Sequence, residues 1–282
     1  MTGILYIVGT PIGNLEDITM RSIRILKSVN LIAAEDTRVT AKLLKHFEIE
    51  TKAISYHRHS TEKREEELIK LLQNEQDIAL VTDAGMPGIS DPGHKLVRKA
   101  VENGIEVIPI PGVSSVVTAL AASGLNADTF LFLGFLPSAK KDLIKTVEGT
   151  VKFRQNFTVI AFEAPHRIKK TLQILADIFP DLQIVIGREL TKKFEQFLRG
   201  SAAELAESVQ DLKGEIVIIW KTGEYITKNN NTENVNSDAL LYAKNQVENG
   251  ESIKTAAKTA AEKYNISRKY LYQELLQLFR LN

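Results

Sequence analysis

Residues 77–93 read DIALVTDAGMPGISDPG, and the change of character at position 82 decides the fold. The first part, DIALV (77–81), is a short apolar run of strand length. The second, Thr82–Gly93, carries three glycines and two prolines and is a loop. An amphipathic helix is predicted next, over 92–103, with Asp91 as its N-cap and Pro92 as its first residue. Strand, glycine-rich loop and helix in that order form the repeating unit of an open α/β sheet, whose ligands sit at the carboxyl ends of the strands.

The same alternation extends in both directions. Strands are predicted at 4–8, 31–35, 52–56 and 106–110, with helices at 19–29, 38–47, 60–74 and 113–123 between them. In the 60–74 segment Leu68, Leu71 and Leu72 fall on one face, and the charge run EKREEE supplies a solvated one. A second series follows, with strands at 130–135, 157–163, 182–190, 194–200 and 214–220 and helices at 138–148, 165–179 and 201–211. Three strands crowd the end of that series, which predicts a mixed sheet with an antiparallel edge. The fold class is α/β. The expected organisation is a domain over 1–111, a second over 112–223, a polar Asn-rich linker over 224–237 and a helical tail over 238–282. In the tail, Ser252 and Ser267 read as N-caps, and Asn249–Gly250 and Asn265 as stops.

Bulk composition removes several function classes. The chain has no cysteine, so disulfides, thiolate metal sites and cysteine nucleophiles are excluded. Its five histidines show no compact ligand spacing, and no metal is expected. No apolar stretch reaches the ~20 residues of a membrane helix, and the N-terminus opens on a strand-like run; a cytoplasmic protein without a cleaved signal is expected. Lys and Arg (36) balance Asp and Glu (35), so nucleic-acid contacts would have to come from local basic patches.

Two further loops also leave strand ends. Gly9-Thr10-Pro11-Ile12-Gly13-Asn14 lacks both the P-loop lysine and the GxGxxG spacing, so it reads as a tight turn or a weak nucleotide cradle. Pro111-Gly112-Val113-Ser114-Ser115 opens a helix with two hydroxyls beside free amides, an arrangement that suits a carboxylate, although an N-cap explains one serine equally well.

Taken in order, GTPIGN, AEDTR (34–38), TDAGMPGISDPG, PGVSS, FEAPHR (162–167) and ELTK (189–192) resemble the tetrapyrrole methylase superfamily. Within it they are similar to a branch that methylates a cytidine ribose 2′-hydroxyl of 16S ribosomal RNA in the decoding region. The resemblance covers roughly residues 3–222. It implies two α/β domains with the donor site in the cleft between them and S-adenosylmethionine as the donor. It also implies 16S rRNA or the small ribosomal subunit as partner, and a homodimer. Carried over by residue, it implies that Pro11, Gly85, Met86, Pro87, Ile89, Ser114, Ser115 and Phe162-Glu163 line the donor pocket. Met86 stands where porphyrinoid-methylating members have an aspartate, which argues against a tetrapyrrole substrate.

A ribose hydroxyl needs a proton acceptor, and Glu163, Glu35, Asp36 and His166 are the candidates. Glu35 and Asp36 also read as caps of the next helix. His166 and Arg167 oppose the dipole of the helix they open, and phosphate binding would account for their position. Arg38, Arg58, Arg167, Arg188, Lys192 and Lys193 are candidates for an RNA-facing rim. Arg268 and Lys269 open the candidate recognition helix of a helix-turn-helix-like tail, whose alanine stripe (Ala256, Ala257, Ala260, Ala261) would serve packing equally well. The alternatives are a porphyrinoid C-methyltransferase and a non-catalytic donor-binding regulator of nucleic acid.

Overall fold

The computed structural model describes residues 2–151, 157–222, 238–264 and 266–280. The first sheet is entirely parallel, in the order β3-β2-β4-β1-β5. Its strands are β1 (Leu5–Val8), β2 (Leu31–Ala34), β3 (Ala53–Ser55), β4 (Ile78–Val81) and β5 (Val107–Ile110). The helices between them are α1 (Met20–Ser28), α2 (Thr37–His46), α3 (Glu62–Gln73) and α4 (His94–Glu102). Side chains alternate across each strand, and the two faces bury separate cores. Leu5, Ile7, Ile78 and Leu80 pack with Leu68 and Leu72 of α3 and Leu96 of α4. Val8, Ala79 and Val81 pack with Leu26 of α1 and Leu44 of α2. Covered on both sides, β2 and β4 are buried at every residue, as their unbroken apolar runs require. Each such leucine stabilises the fold by about 1.5–3 kcal/mol.

Helix starts follow local chemistry. Thr19 accepts from the Ser22 amide and Thr61 from that of Arg64, while Ser201 and Glu204 form a reciprocal capping box. Glu65, expected on the solvated face of α3, is instead buried, where it receives Lys99 of α4 at 2.8 Å.

The second sheet runs β6-β7-β10-β8-β9. It comprises β6 (Phe130–Phe135), β7 (Thr158–Glu163), β8 (Gln183–Arg188), β9 (Gln196–Ser201) and β10 (Ile216–Lys221). Only β6 and β7 are parallel, so the sheet is mixed with an antiparallel end. One face is covered by α5 (Ser115–Ser123), through Val116, Ala119 and Leu120 against Ile160, Val185 and Val217. The remaining helices are α6 (Lys140–Val151), α7 (Ile168–Ile178) and α8 (Ala202–Ser208).

Both sheets belong to one compact unit, over 1–147 and 157–221. A second unit holds the tail helices α9 (238–248), α10 (Ile253–Tyr264) and α11 (Arg268–Arg280). There the alanine stripe is buried with Ala239, Ala243, Leu271 and Leu275 in the tail's own core. Ser252 and Ser267 accept from the amides of Thr255 and Tyr270. The linker over 224–237 and the stop at Asn265 lie outside the described residues. Among the described residues no helix is long and apolar enough to cross a membrane.

Candidate functional site

The connection from β1 runs over one face of the first sheet to β2, and the connection from β4 runs over the opposite face to β5. The carboxyl ends of these neighbouring strands therefore form a crevice at a topological switch point. Three loops close over it. Thr10 and Gly85 exchange both backbone hydrogen bonds, at 2.9 and 3.0 Å, joining the loops after β1 and β4. The Thr10 hydroxyl adds a bond to the Thr82 carbonyl at 3.0 Å. The loops after β1 and β5 touch backbone to backbone: a Cβ on Gly112 would lie 2.7 Å from the Gly9 Cα, so only glycine fits there.

Above these loops lies a cavity of about 500 Å³. The first sheet contributes Ile12, Ala84, Gly85, Met86, Ile89, Ser90, Asp91, Ser114, Ser115 and Val116. The second contributes Phe135, Phe162–Pro165, Leu190 and Gly214–Val217. The expected residues Gly85, Met86, Ile89, Ser114, Ser115, Phe162 and Glu163 are on the wall. Pro11 and Pro87 are not on it: Ile12, the residue after Pro11, lines the cavity, and Pro87 is buried. Ser114 occupies the N-cap position of α5 yet makes no capping bond, which leaves its hydroxyl at the cavity and the helix start open.

The acidic residues divide by environment. Glu163, expected as a base, has a fully buried side chain whose oxygens are taken by protein donors. Oε1 accepts from the Ala164 amide at 2.7 Å, from Arg167 Nε at 2.8 Å and from Arg167 Nη2. Oε2 accepts from Thr171 Oγ1 at 2.6 Å. Arg167 also donates to the Leu136 carbonyl at 2.8 Å. The basic residue before α7 therefore faces an internal carboxylate, and phosphate binding is not needed to explain it. The pair ties β7, α7 and the end of β6 together.

Asp36 caps α2 and pairs with Arg38 at 2.6 Å, and the guanidinium holds its carboxyl down at about 2, too low for a base near neutral pH. Glu35 is raised by burial and accepts from the Asp83 amide at 3.3 Å. His166 is exposed and off the cavity wall.

Asp91 is the acid that sequence reading misassigned. It is not the N-cap of α4, because the helix starts at His94 behind Gly93, whose φ of +142° only glycine tolerates. Asp91 instead lines the cavity, half-buried. Burial, reinforced by the charges of Glu35, Asp83 and Glu215 and opposed by Arg58, pushes its carboxyl up to about 6. Two cap-forming signals in succession, Asp-Pro and then Gly, were the clue that the first was free for another task.

The expected rim is largely engaged. Arg38 is held by Asp36, and Lys192 by Glu189 and Glu215 at 2.9 and 3.0 Å. Arg188 donates to the Lys213 carbonyl at 2.7 Å. Arg58 donates to the Ser90 carbonyl at 2.8 Å, and Lys193 is exposed beside Phe194. In the tail Arg268 is exposed, and the Lys269 side chain lies outside the described residues. Among the described residues no three His, Asp or Glu side chains are grouped to hold a metal ion.

Residues 4–206 match the family described as Tetrapyrrole (Corrin/Porphyrin) Methylases. A ribosomal RNA small subunit methyltransferase I of Halalkalibacterium halodurans is 51% identical over 219 residues, covering 77% of this chain and 75% of that relative. The protein of that name from Bacillus subtilis is 43% identical over 280 residues, covering 96% and 93%. Among solved structures, a diphthine synthase superposes with a TM-score of 0.62 at 15% identity, covering 78% of this chain and 90% of the other. A uroporphyrin-III C-methyl transferase from Thermus thermophilus, complexed with S-adenyl homocysteine, gives 0.54 at 18% identity, covering 80% and 99%. Motif order, two-sheet architecture and relatives across nearly the whole length agree: the chain belongs to the tetrapyrrole methylase family, on the branch of ribosomal RNA small subunit methyltransferase I.

Proposed function

We propose that the chain methylates a cytidine ribose 2′-hydroxyl in the decoding region of 16S ribosomal RNA, with S-adenosylmethionine as donor. The observation that carries the reading is the cavity at the switch point, with an open helix start at one wall and a carboxyl of elevated pKa at another. The residues fit the donor. Ile12, Met86, Phe162 and Leu190 offer apolar surface for an adenosine. Ser114, Ser115 and the start of α5 suit an amino-acid carboxylate. When bound, the donor supplies an electrophilic methyl group; the protein has to bury it and align the acceptor.

Asp91 is assigned the proton of the acceptor hydroxyl, in place of Glu163, Glu35, Asp36 or His166. Its carboxyl is ionised above about pH 6 and lies on the cavity wall with no hydrogen-bond donor holding it among the described residues, whereas the oxygens of Glu163 are occupied. Arg58, Lys193 and the tail's Arg268 are assigned RNA contacts. A homodimer is supported by the sheet edge at β6, where Phe130, Leu131 and Phe135 are exposed. Activity on ribosomal RNA would agree with a cytoplasmic location.

The test is mass spectrometry of nucleosides from 16S rRNA of cells with and without the gene. Loss of one 2′-O-methylcytidine on deletion, restored by the wild-type chain, is expected. An unchanged rRNA nucleoside profile, or a changed porphyrinoid pool, contradicts it.

A further inference from the structure

A second cavity, of about 330 Å³, lies on the other side of the Ser90–Asp91 segment, and both residues line both cavities. Its chemistry differs from that of the first. Arg58, Lys95, His57 and His94 all line it. Its second carboxylate, Glu65, is already neutralised by Lys99 at 2.8 Å. Lys95 and the two histidines form no ion pair among the described residues. The cavity also meets the start of α4, where the cap residue Gly93 offers no side-chain bond to the first amides.

The wall between the cavities is held under strain. Ser90 has φ +63°, a left-handed conformation unusual for serine, and its carbonyl is fixed by Arg58 Nη2 at 2.8 Å. Arg58 thus sets the wall in place while lining the basic cavity.

Resting on the reading of the chain as an RNA methyltransferase, we infer that the second cavity is the acceptor-strand subsite: it binds a backbone phosphodiester next to the nucleotide whose hydroxyl faces Asp91. Basic side chains and an open helix start on one side of a thin wall, and a proton acceptor within that wall, are what a ribose and its neighbouring phosphate require. The geometry also explains why the charges are split. Cations steer the strand, while Asp91, shared with the apolar cavity, remains the group left to receive a proton.

Lys95 is the cleanest point of test because it holds up no loop. Three titrations on the full-length protein decide the matter: S-adenosylmethionine by calorimetry, 16S rRNA transcript at several salt concentrations, and a cytidine trinucleotide or inorganic phosphate followed by the imidazole NMR signals of His57 and His94. Lys95→Ala should weaken transcript binding and flatten the salt slope by roughly 0.7–0.9 for the lost phosphate contact. The affinity gap from wild type then narrows by about threefold between 50 and 200 mM salt. Donor affinity should be unchanged, Lys95→Arg should restore the slope, and Lys27→Ala, on the opposite face of the sheet, should leave it alone. Both histidine signals should move with the trinucleotide at concentrations where phosphate has little effect.

An unchanged slope in Lys95→Ala, with wild-type transcript binding intact, overturns the subsite and leaves the functional reading standing. Histidine shifts with phosphate alone overturn it as well, since they indicate a simple anion site. Failure of the wild-type protein to bind transcript at all would remove both.

Discussion

Asp91→Asn is expected to lower single-turnover methyl transfer by about 10²–10⁴-fold while leaving donor affinity near wild type, the pattern for a group that acts on the acceptor proton. The pH dependence makes the forecast sharper. With its carboxyl near 6, wild-type transfer should fall about tenfold per pH unit below that value, and the variant should lose this limb. Glu35, Asp83 and Glu215 raise the carboxyl and Arg58 lowers it, so high salt should shift the midpoint modestly toward the ordinary aspartate value.

Stability should move in the opposite direction from activity. Folding raises the Asp91 carboxyl from 3.8 to about 6, so the folded state holds the proton more tightly between those values. The wild-type protein therefore gains stability as pH falls through about 6, and above that pH it bears the full penalty of the half-buried charge. Asparagine bears none. At pH 7–8 the variant should be more stable by roughly 1 kcal/mol after allowance for the exposed half of the group, with the difference vanishing by about pH 4. A wild-type transfer rate in Asp91→Asn, or an acid limb that survives the substitution, would return the base to Glu35.

Glu163→Gln should have its largest effect on folding. The substitution removes the charge facing Arg167 within a buried network that also engages Thr171 and the Ala164 amide. Breaking one side of a buried pair costs about 3–5 kcal/mol, which for a body of this size lowers the melting temperature by about 6–20 °C. Replacing both partners with apolar residues, as in Glu163→Met with Arg167→Met, should recover much of the loss because no unpaired charge remains. Well below the melting temperature, Glu163→Gln should transfer methyl groups at a rate close to wild type. A hundredfold slower transfer in a Glu163→Gln protein that melts like wild type would instead make Glu163 the base.

The fold was legible because its signals are periodic and local. The runs IALV and LIAA are short, apolar and bounded by polar residues (Asp77 and Thr82, Asn30 and Glu35), and buried parallel strands require nothing more. Helix starts at Ser252 and Ser267 could be read for the same reason: a cap bond spans three residues. The cavity wall was partly legible, because a glycine-rich loop at a strand end marks a place where backbone approaches something closely. What could not be read was the direction of individual charges. FEAPHR contains both partners of its own ion pair, and sequence alone does not show whether Arg167 turns inward to Glu163 or outward to a phosphate. Asp91 raised the same difficulty, since Asp-Pro is a good helix start and only Gly93, with its positive φ, moves the start two residues on. The second cavity joins 56–58 with 88–95, a proximity set by the pairing of β2 with β3 and β4.

Calorimetric titration of the purified full-length protein with S-adenosylmethionine, repeated with S-adenosylhomocysteine as competitor, tests the cavity assignment most directly. One site per chain is expected, competed by the product S-adenosylhomocysteine and weakened at least tenfold by Ser114→Val, whose branched apolar side chain would remove a hydroxyl at the mouth of α5 without unfolding the protein. A wild-type protein that takes up no donor, or a Ser114→Val variant that binds it unchanged, would contradict the claim that these loops hold the methyl donor.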